Sequence, residues 1–197
     1  MSNTGGLAGR RCSAIVIGAS AGGIRALLRL LAPLPENFGV PIVIVVHMPD
    51  KADSRLAEVF QHHLAIKVMM AEDKALIQPG RVYFANAGYH LSIERHQRFS
   101  LSCEDPVNFS RPSIDILMSS AADTYGASLM GILLTGASQD GAEGMLAIHR
   151  GGGTTVVQTP DDAEVATMPQ SALDLFSPDF VLPLPEIQQL IVNVEMS

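Results

Sequence analysis

The nine residues Ile15-Val16-Ile17-Gly18-Ala19-Ser20-Ala21-Gly22-Gly23 constrain this chain more than any other stretch. An apolar run, patterned as a buried strand, passes straight into a tight turn with a serine at its tip, and residues 24–31 continue as a helix. A serine between a strand and a helix N-terminus stands clear of the sheet, with unpaired backbone N–H groups beside it. Gly-x-Ser-x-Gly is the spacing of a nucleophile elbow, in which small residues let the chain turn sharply around the serine. Two other uses stay open: Ser20 as the N-cap of the helix, and a phosphate-cradling loop. The loop fits less well. Ser20 takes the place of the middle glycine of Gly-x-Gly-x-x-Gly, where a side chain hinders a pyrophosphate, and the second strand ends in His47 rather than an acidic residue that would hold a ribose. No Gly-Lys-Ser/Thr follows, which excludes a Walker loop.

Short apolar runs alternate with helical patterns, the mark of parallel strands joined by crossover helices. Ile42-Val43-Ile44-Val45-Val46 is apolar on both faces, as a central parallel strand is. Residues 54–64 predict a helix that turns Leu56, Val59, Phe60 and His63 to one face. Residues 82–85, 91–93 and 99–101 predict shorter strands, with a hairpin across polar residues 94–98. Pro112-Ser113 opens a helix to about residue 122, and residues 130–134 predict a second core strand. A helix from Ala142 ends at Gly151-Gly152-Gly153. Strands at 154–157 and 180–182 precede a closing helix from Glu186. The predicted fold class is α/β: a doubly wound, mostly parallel sheet flanked by helices, with a small antiparallel hairpin insertion near residues 82–102.

At 197 residues the chain suits one domain, read here as 13–197 behind a polar, glycine-rich and flexible tail at 1–12. A net charge of −7 and the lack of any basic run argue against nucleic acid as a partner. Arg10-Arg11 before an apolar stretch imitates an export signal, but that stretch is short and runs into the glycine turn. No apolar run approaches the ~20 residues that span a bilayer. The expectation is a cytoplasmic protein without membrane insertion, in which Cys12 and Cys103 are ordinary thiols matching no metal-ligand spacing.

In an open α/β sheet the ligand site lies outside the carboxyl ends of the strands. Three such ends carry chemistry: Ser20, His47, and Asp140 in the loop Thr135-Gly136-Ala137-Ser138-Gln139-Asp140-Gly141. Together they make an acyl-transfer triad, in which a hydrogen-bonded imidazole takes the serine proton and a carboxylate fixes the imidazole tautomer. The chain order Ser…His…Asp differs from that of the α/β-hydrolases. Each residue has a plainer use: Ser20 and Asp140 as helix caps, His47 as a core histidine. Among the other histidines, His62, His63 and His96 fall on helix or turn faces, His149 suits a helix C-terminus, and His90 is a candidate for a pocket wall.

Five blocks in this order resemble the catalytic domain of bacterial chemotaxis protein-glutamate methylesterases: residues 17–23, His47-Met48-Pro49, Arg111-Pro112-Ser113-Ile114-Asp115, residues 134–142 and Met168-Pro169. The resemblance implies hydrolysis of glutamate γ-methyl esters on the cytoplasmic helices of methylated chemoreceptors, and deamidation of receptor glutamines by the same acyl-enzyme route. No cofactor and no metal is implied. It makes Ser20 the nucleophile, His47 the general base and acid, and Asp140 the residue orienting His47. Backbone N–H groups of Ala21 and Ala137 would hold the oxyanion, and Arg111 and Met48 would contact substrate. Arg25, Arg29 and Arg55, with Arg111, are candidates for a positive patch facing acidic receptor helices. Ala21, Val46 and Ala137-Ser138 stand where relatives often carry threonine, glutamine and Met-Gly, and residues 159–164 also depart. Lower activity or a changed substrate preference is the expectation from these positions, with a catalytically impaired receptor-binding module as the alternative. Relatives often carry a receiver domain ahead of the first strand. With only about a dozen residues there, the expectation is no phosphorylation gating in cis and a receiver acting, if at all, in trans.

Overall fold

In a computed structural model of the protein, residues 11–48 and 55–194 are described. The elements run β1 (Ala14–Ala19), α1 (Gly23–Leu31), β2 (Ile42–Val46), α2 (Leu56–Gln61), β3 (Lys67–Met70) and β4 (Arg81–Phe84). A hairpin, β5 (His90–Glu94) and β6 (Arg98–Ser102), leads to α3 (Ile114–Tyr125) and β7 (Leu129–Leu133). Then come α4 (Ala142–Arg150), β8 (Thr154–Gln158), α5 (Thr167–Leu175), β9 (Phe180–Leu182) and α6 (Leu184–Val192).

Seven strands form one parallel sheet in the order β3-β4-β2-β1-β7-β8-β9, while β5 and β6 pair antiparallel apart from it. From β1 the chain moves to β2 on one side and later returns to β7 on the other. The β1/β7 boundary is therefore the switch point, where loops diverge and leave a crevice. Both sheet faces are covered. Ile15, Ile17 and Ala19 pack with Leu27, Phe60 and Ile187 on the side of α1, α2 and α6. Ala14 and Val16 pack with Leu117 and Met145 on the side of α3 and α4. Burying one such Ile or Leu contributes about 1.5–3 kcal/mol, so strands with two apolar faces settle at the centre of the sheet.

The doubly wound α/β class is what the chain adopts, with corrections of detail. The stretch at 82–84 does not belong to the hairpin insertion. As β4 it pairs in parallel with β2, and Val82, Tyr83 and Phe84 are buried on both faces. The insertion is β5 and β6 alone, packed on α3, where Ile93 N–H donates to Ser120 Oγ (3.0 Å) and Thr124 Oγ1 donates to Ile93 O (3.0 Å). The face expected for α2 shifts as well. Leu56 and Phe60 are buried, while Val59 and His63 are exposed and Leu64 takes the inner place. The predicted start of that helix at Ser54, and residues 1–10 of the expected tail, lie outside the described residues. No helix among the described residues is long and apolar enough to cross a membrane.

Candidate active site

The pairing of β1 with β2 sets Ala19 opposite Val46, so the next residues, Ser20 and His47, are neighbours at adjacent strand ends. Such strands lie about 4.8 Å apart, and the alternation of side chains turns both residues toward the α3 face. Backbone bonds fix the ends: His47 N–H donates to Ala19 O (3.0 Å) and Ser20 N–H to Thr135 O (2.9 Å). The N-cap of α1 is Gly22, with a left-handed φ of 78° and no side-chain cap bond. Ser20 is thus not a helix cap. Its half-buried hydroxyl has no hydrogen-bond partner among the described residues.

Asp140 is fully buried at the end of the β7 loop. Its Oδ2 accepts from His47 Nε2–H at 2.8 Å and from Ile114 N–H at 2.7 Å. Its Oδ1 accepts from the Ser113 hydroxyl at 2.8 Å and from Asp115 N–H at 3.1 Å. A carboxylate only accepts, so Nε2 carries the imidazole proton and Nδ1 is the nitrogen left for a serine. Asp140 does cap a helix, but α3 rather than the helix that follows it, whose N-cap is Gly141. The positive end of α3 and four donors hold the charge in place. Burial pushes the Asp140 carboxyl up, and the bonds from His47, Ile114, Ser113 and Asp115 outweigh it, so the group sits below the usual carboxylate value.

α3 reaches this position because β1 has a glycine under it. A Cβ on Gly18 would come 2.4 Å from Ile114 Cγ2 and 3.1 Å from Leu133 Cδ1. Gly136 does the same on the other flank, where a Cβ would meet Met168 at 2.7 Å and Ser20 Cβ at 2.9 Å. The β7 loop is tied down by Gly136 N–H to Val165 O (3.0 Å) and Val165 N–H to Thr135 Oγ1 (2.9 Å). Ala21 and Ala137 are both exposed, and neither backbone N–H has a partner among the described residues. Ala21 follows Ser20 in the elbow, and Ala137 follows Gly136, which lies against Ser20.

Three residues, His90, Ser113 and Asp115, hold the site through bonds that the sequence does not specify. His90 is buried and structural rather than a pocket wall: Nε2–H donates to Asp105 O (3.1 Å), and Nδ1 accepts from Ser113 N–H (3.2 Å). Ser113 passes that restraint to Asp140. Asp115 Oδ1 accepts from Gly141 N–H (2.9 Å) and Gly144 N–H (2.7 Å), and its Oδ2 from Asn108 Nδ2–H (2.9 Å). Burial, with the neighbouring Asp140 charge adding to it, pushes the Asp115 carboxyl up to about 6. An unfolded Asp titrates near 3.9, so between about pH 4 and 6 the native state binds the proton more tightly. By linkage, Asp115 takes stability away as pH rises through that window, the opposite sense to Asp140, whose contribution is lost only as pH falls below about 4. Urea midpoints between pH 4 and 7 should show the decline flattened in Asp115→Asn; an unchanged profile would place the titration elsewhere.

A cleft opens beside the site, walled by His47, Met48, Leu56, Phe109, Arg111 and Pro112. Met48 and Arg111 therefore border it, although the Arg111 guanidinium also donates to Cys103 O (3.1 Å) and Glu104 O (3.0 Å). Of the other arginines, Arg25 lies 3.4 Å from Glu164 across an exposed pair. Among the described residues no group of three or more His, Cys, Asp or Glu converges to hold a metal ion.

The CheB methylesterase family profile matches residues 15–191. This chain belongs to the CheB methylesterase family. A Leptospira interrogans protein with a provisional protein-glutamate methylesterase/protein-glutamine glutaminase name is 46% identical over 184 residues, covering 93% of this chain and 95% of that protein. A Carboxydothermus hydrogenoformans protein-glutamate methylesterase/protein-glutamine glutaminase is 40% identical over 91% of this chain. The chain spans 55% of that protein's length. The crystal structure of the Thermotoga maritima CheB methylesterase catalytic domain superposes with a TM-score of 0.89 at 32% identity, covering 93% of this chain and 99% of that one. The fold described above is thus that of the CheB methylesterase catalytic domain.

Proposed function

We propose that this chain is a serine esterase that hydrolyses glutamate γ-methyl esters on chemoreceptor helices. The single observation that carries this reading is the Asp140–His47 pair beside the unengaged Ser20 hydroxyl at the sheet's switch point. Ser20 Oγ attacks the ester carbonyl carbon while His47 Nδ1 takes its proton. The C–O π pair moves onto the carbonyl oxygen, where the N–H groups of Ala21 and Ala137 receive it; one such donor is worth roughly 3 kcal/mol of barrier. Collapse expels methoxide, protonated by His47, and leaves a glutamyl-serine ester. Water, deprotonated by His47, then attacks that ester and returns Ser20 and a free glutamate. A receptor glutamine follows the same course with ammonia leaving. Asp140 keeps Nε2 protonated and stabilises the imidazolium between steps. Met48 and Arg111 contact the substrate from the cleft wall.

The test is methanol release from membranes carrying methylated chemoreceptors, with unmethylated membranes as the blank. Release above the blank is expected. None from several receptors by a folded protein would return the chain to the binding-module reading.

Gly136→Ala checks the geometry around Ser20. The added methyl runs into Met168, which can swing away, and into Ser20 Cβ, which cannot move without the nucleophile. A displacement approaching 1 Å costs about a hundredfold in rate. Steady-state ester turnover should fall by that order with the thermal midpoint lowered only modestly; full turnover would mean the crowding is relieved without touching Ser20.

A further inference from the structure

The rim of the cleft beside His47 carries a phenylalanine, Phe109, whose ring stands wholly in solvent. Val107 and Ser110 exchange both backbone hydrogen bonds, at 3.1 and 2.9 Å, and close a two-residue turn. Both residues in it are left-handed, Asn108 at φ 48° and Phe109 at φ 61°. This is the pattern of a primed type I turn, whose second position favours glycine, so a bulky residue there is strained. Burial of the ring does not offset that strain, because the ring is not buried. Strain kept at the mouth of a site points to use. The turn is also held in place: Asn108 Nδ2 donates to Asp115, the carboxylate that fixes the Gly141 end of the Asp140 loop.

We propose that Phe109 is a specificity-determining residue that seats the protein substrate, its ring lying against an apolar side chain one helical turn from the esterified glutamate. This rests on the receptor-methylesterase reading above. A glutamate that enters the cleft toward His47 brings its own helix across the rim, and residues three or four positions away share its face. Exposed aromatic rings on a rigid mount are the usual anchors of such contacts. A small ester, by contrast, lies within the cleft and leaves the ring in water. Among the described residues the other exposed large apolar side chains, Val59, Leu76, Tyr89, Leu175, Val181 and Val192, do not line this cleft.

Phe109→Gly separates use from packing, because glycine suits the turn better than phenylalanine does. The readout is kcat/KM on methylated receptor divided by kcat/KM on a blocked glutamate γ-methyl ester, with the thermal midpoint alongside. In Phe109→Gly that ratio should fall at least tenfold, mostly through KM, with no loss of thermal midpoint. Phe109→Leu should recover most of it. Equal loss on both substrates, or an unchanged ratio, would overturn the assignment. A parent protein that cleaves the small ester but no receptor would instead sink the receptor reading and this assignment with it.

Discussion

Ser20→Ala should abolish ester hydrolysis, by on the order of a millionfold in kcat, while leaving the fold intact. Removal of a triad serine costs this much because the remaining groups cannot form the acyl intermediate. The usual difficulty is that a dead variant can be an unfolded one. Here the two are separable, because the Ser20 hydroxyl makes no hydrogen bond to any described residue and does not cap α1. Deleting it leaves no partner stranded, so the change in unfolding free energy should stay within about 0.5 kcal/mol. Turnover of a γ-methyl ester and a urea titration on the same preparation check both halves. A variant retaining a tenth of the parental rate would mean that Ser20 is not the nucleophile.

Asp140→Asn should do the reverse and damage both. Each carboxylate oxygen accepts one backbone N–H: Oδ2 from Ile114 and Oδ1 from Asp115. Whichever way the asparagine turns, its amide NH2 faces one of those N–H groups inside the protein. A buried donor left without an acceptor costs about 1–3 kcal/mol. The lost charge also removes what stabilises the His47 imidazolium, so kcat should fall on the order of ten-thousand-fold. Urea unfolding and single-turnover kinetics would test the pair of effects; loss of activity with full stability would imply that the α3 N-terminus does not depend on this carboxylate.

How much of this was legible in the chain depends on range. Ser20 and His47 are readable because each ends an apolar run, and a parallel sheet must bring such ends to one edge. The support around Asp140 is not. His90, Ser113 and Asp115 act on it across 25–50 residues of sequence, through bonds whose partners no local pattern specifies. Ser113 reads as a helix start, which it is, and Asp115 as a first-turn acid; their second role depends on Gly18 letting α3 approach. β3 was missed because Lys67-Val68-Met69-Met70 is short, half-exposed and at the sheet edge. α5 was missed because its buried face is narrow, Met168, Pro169 and Ala172, although a proline in the first turn is a helix-start signal. α2 rotated away from its predicted face because the fold buries it chiefly along Leu56 and Phe60.

The measurement that bears most directly on the central claim is acid-quenched trapping of the intermediate. The protein would be mixed with a peptide carrying a glutamate γ-methyl ester, stopped in acid within the first turnover, digested and weighed. A glutamyl-peptide adduct on the fragment containing Ser20, growing as methanol appears and absent in Ser20→Ala, is the expected result. Methanol released with no adduct at Ser20, or with the adduct on another side chain, would contradict it.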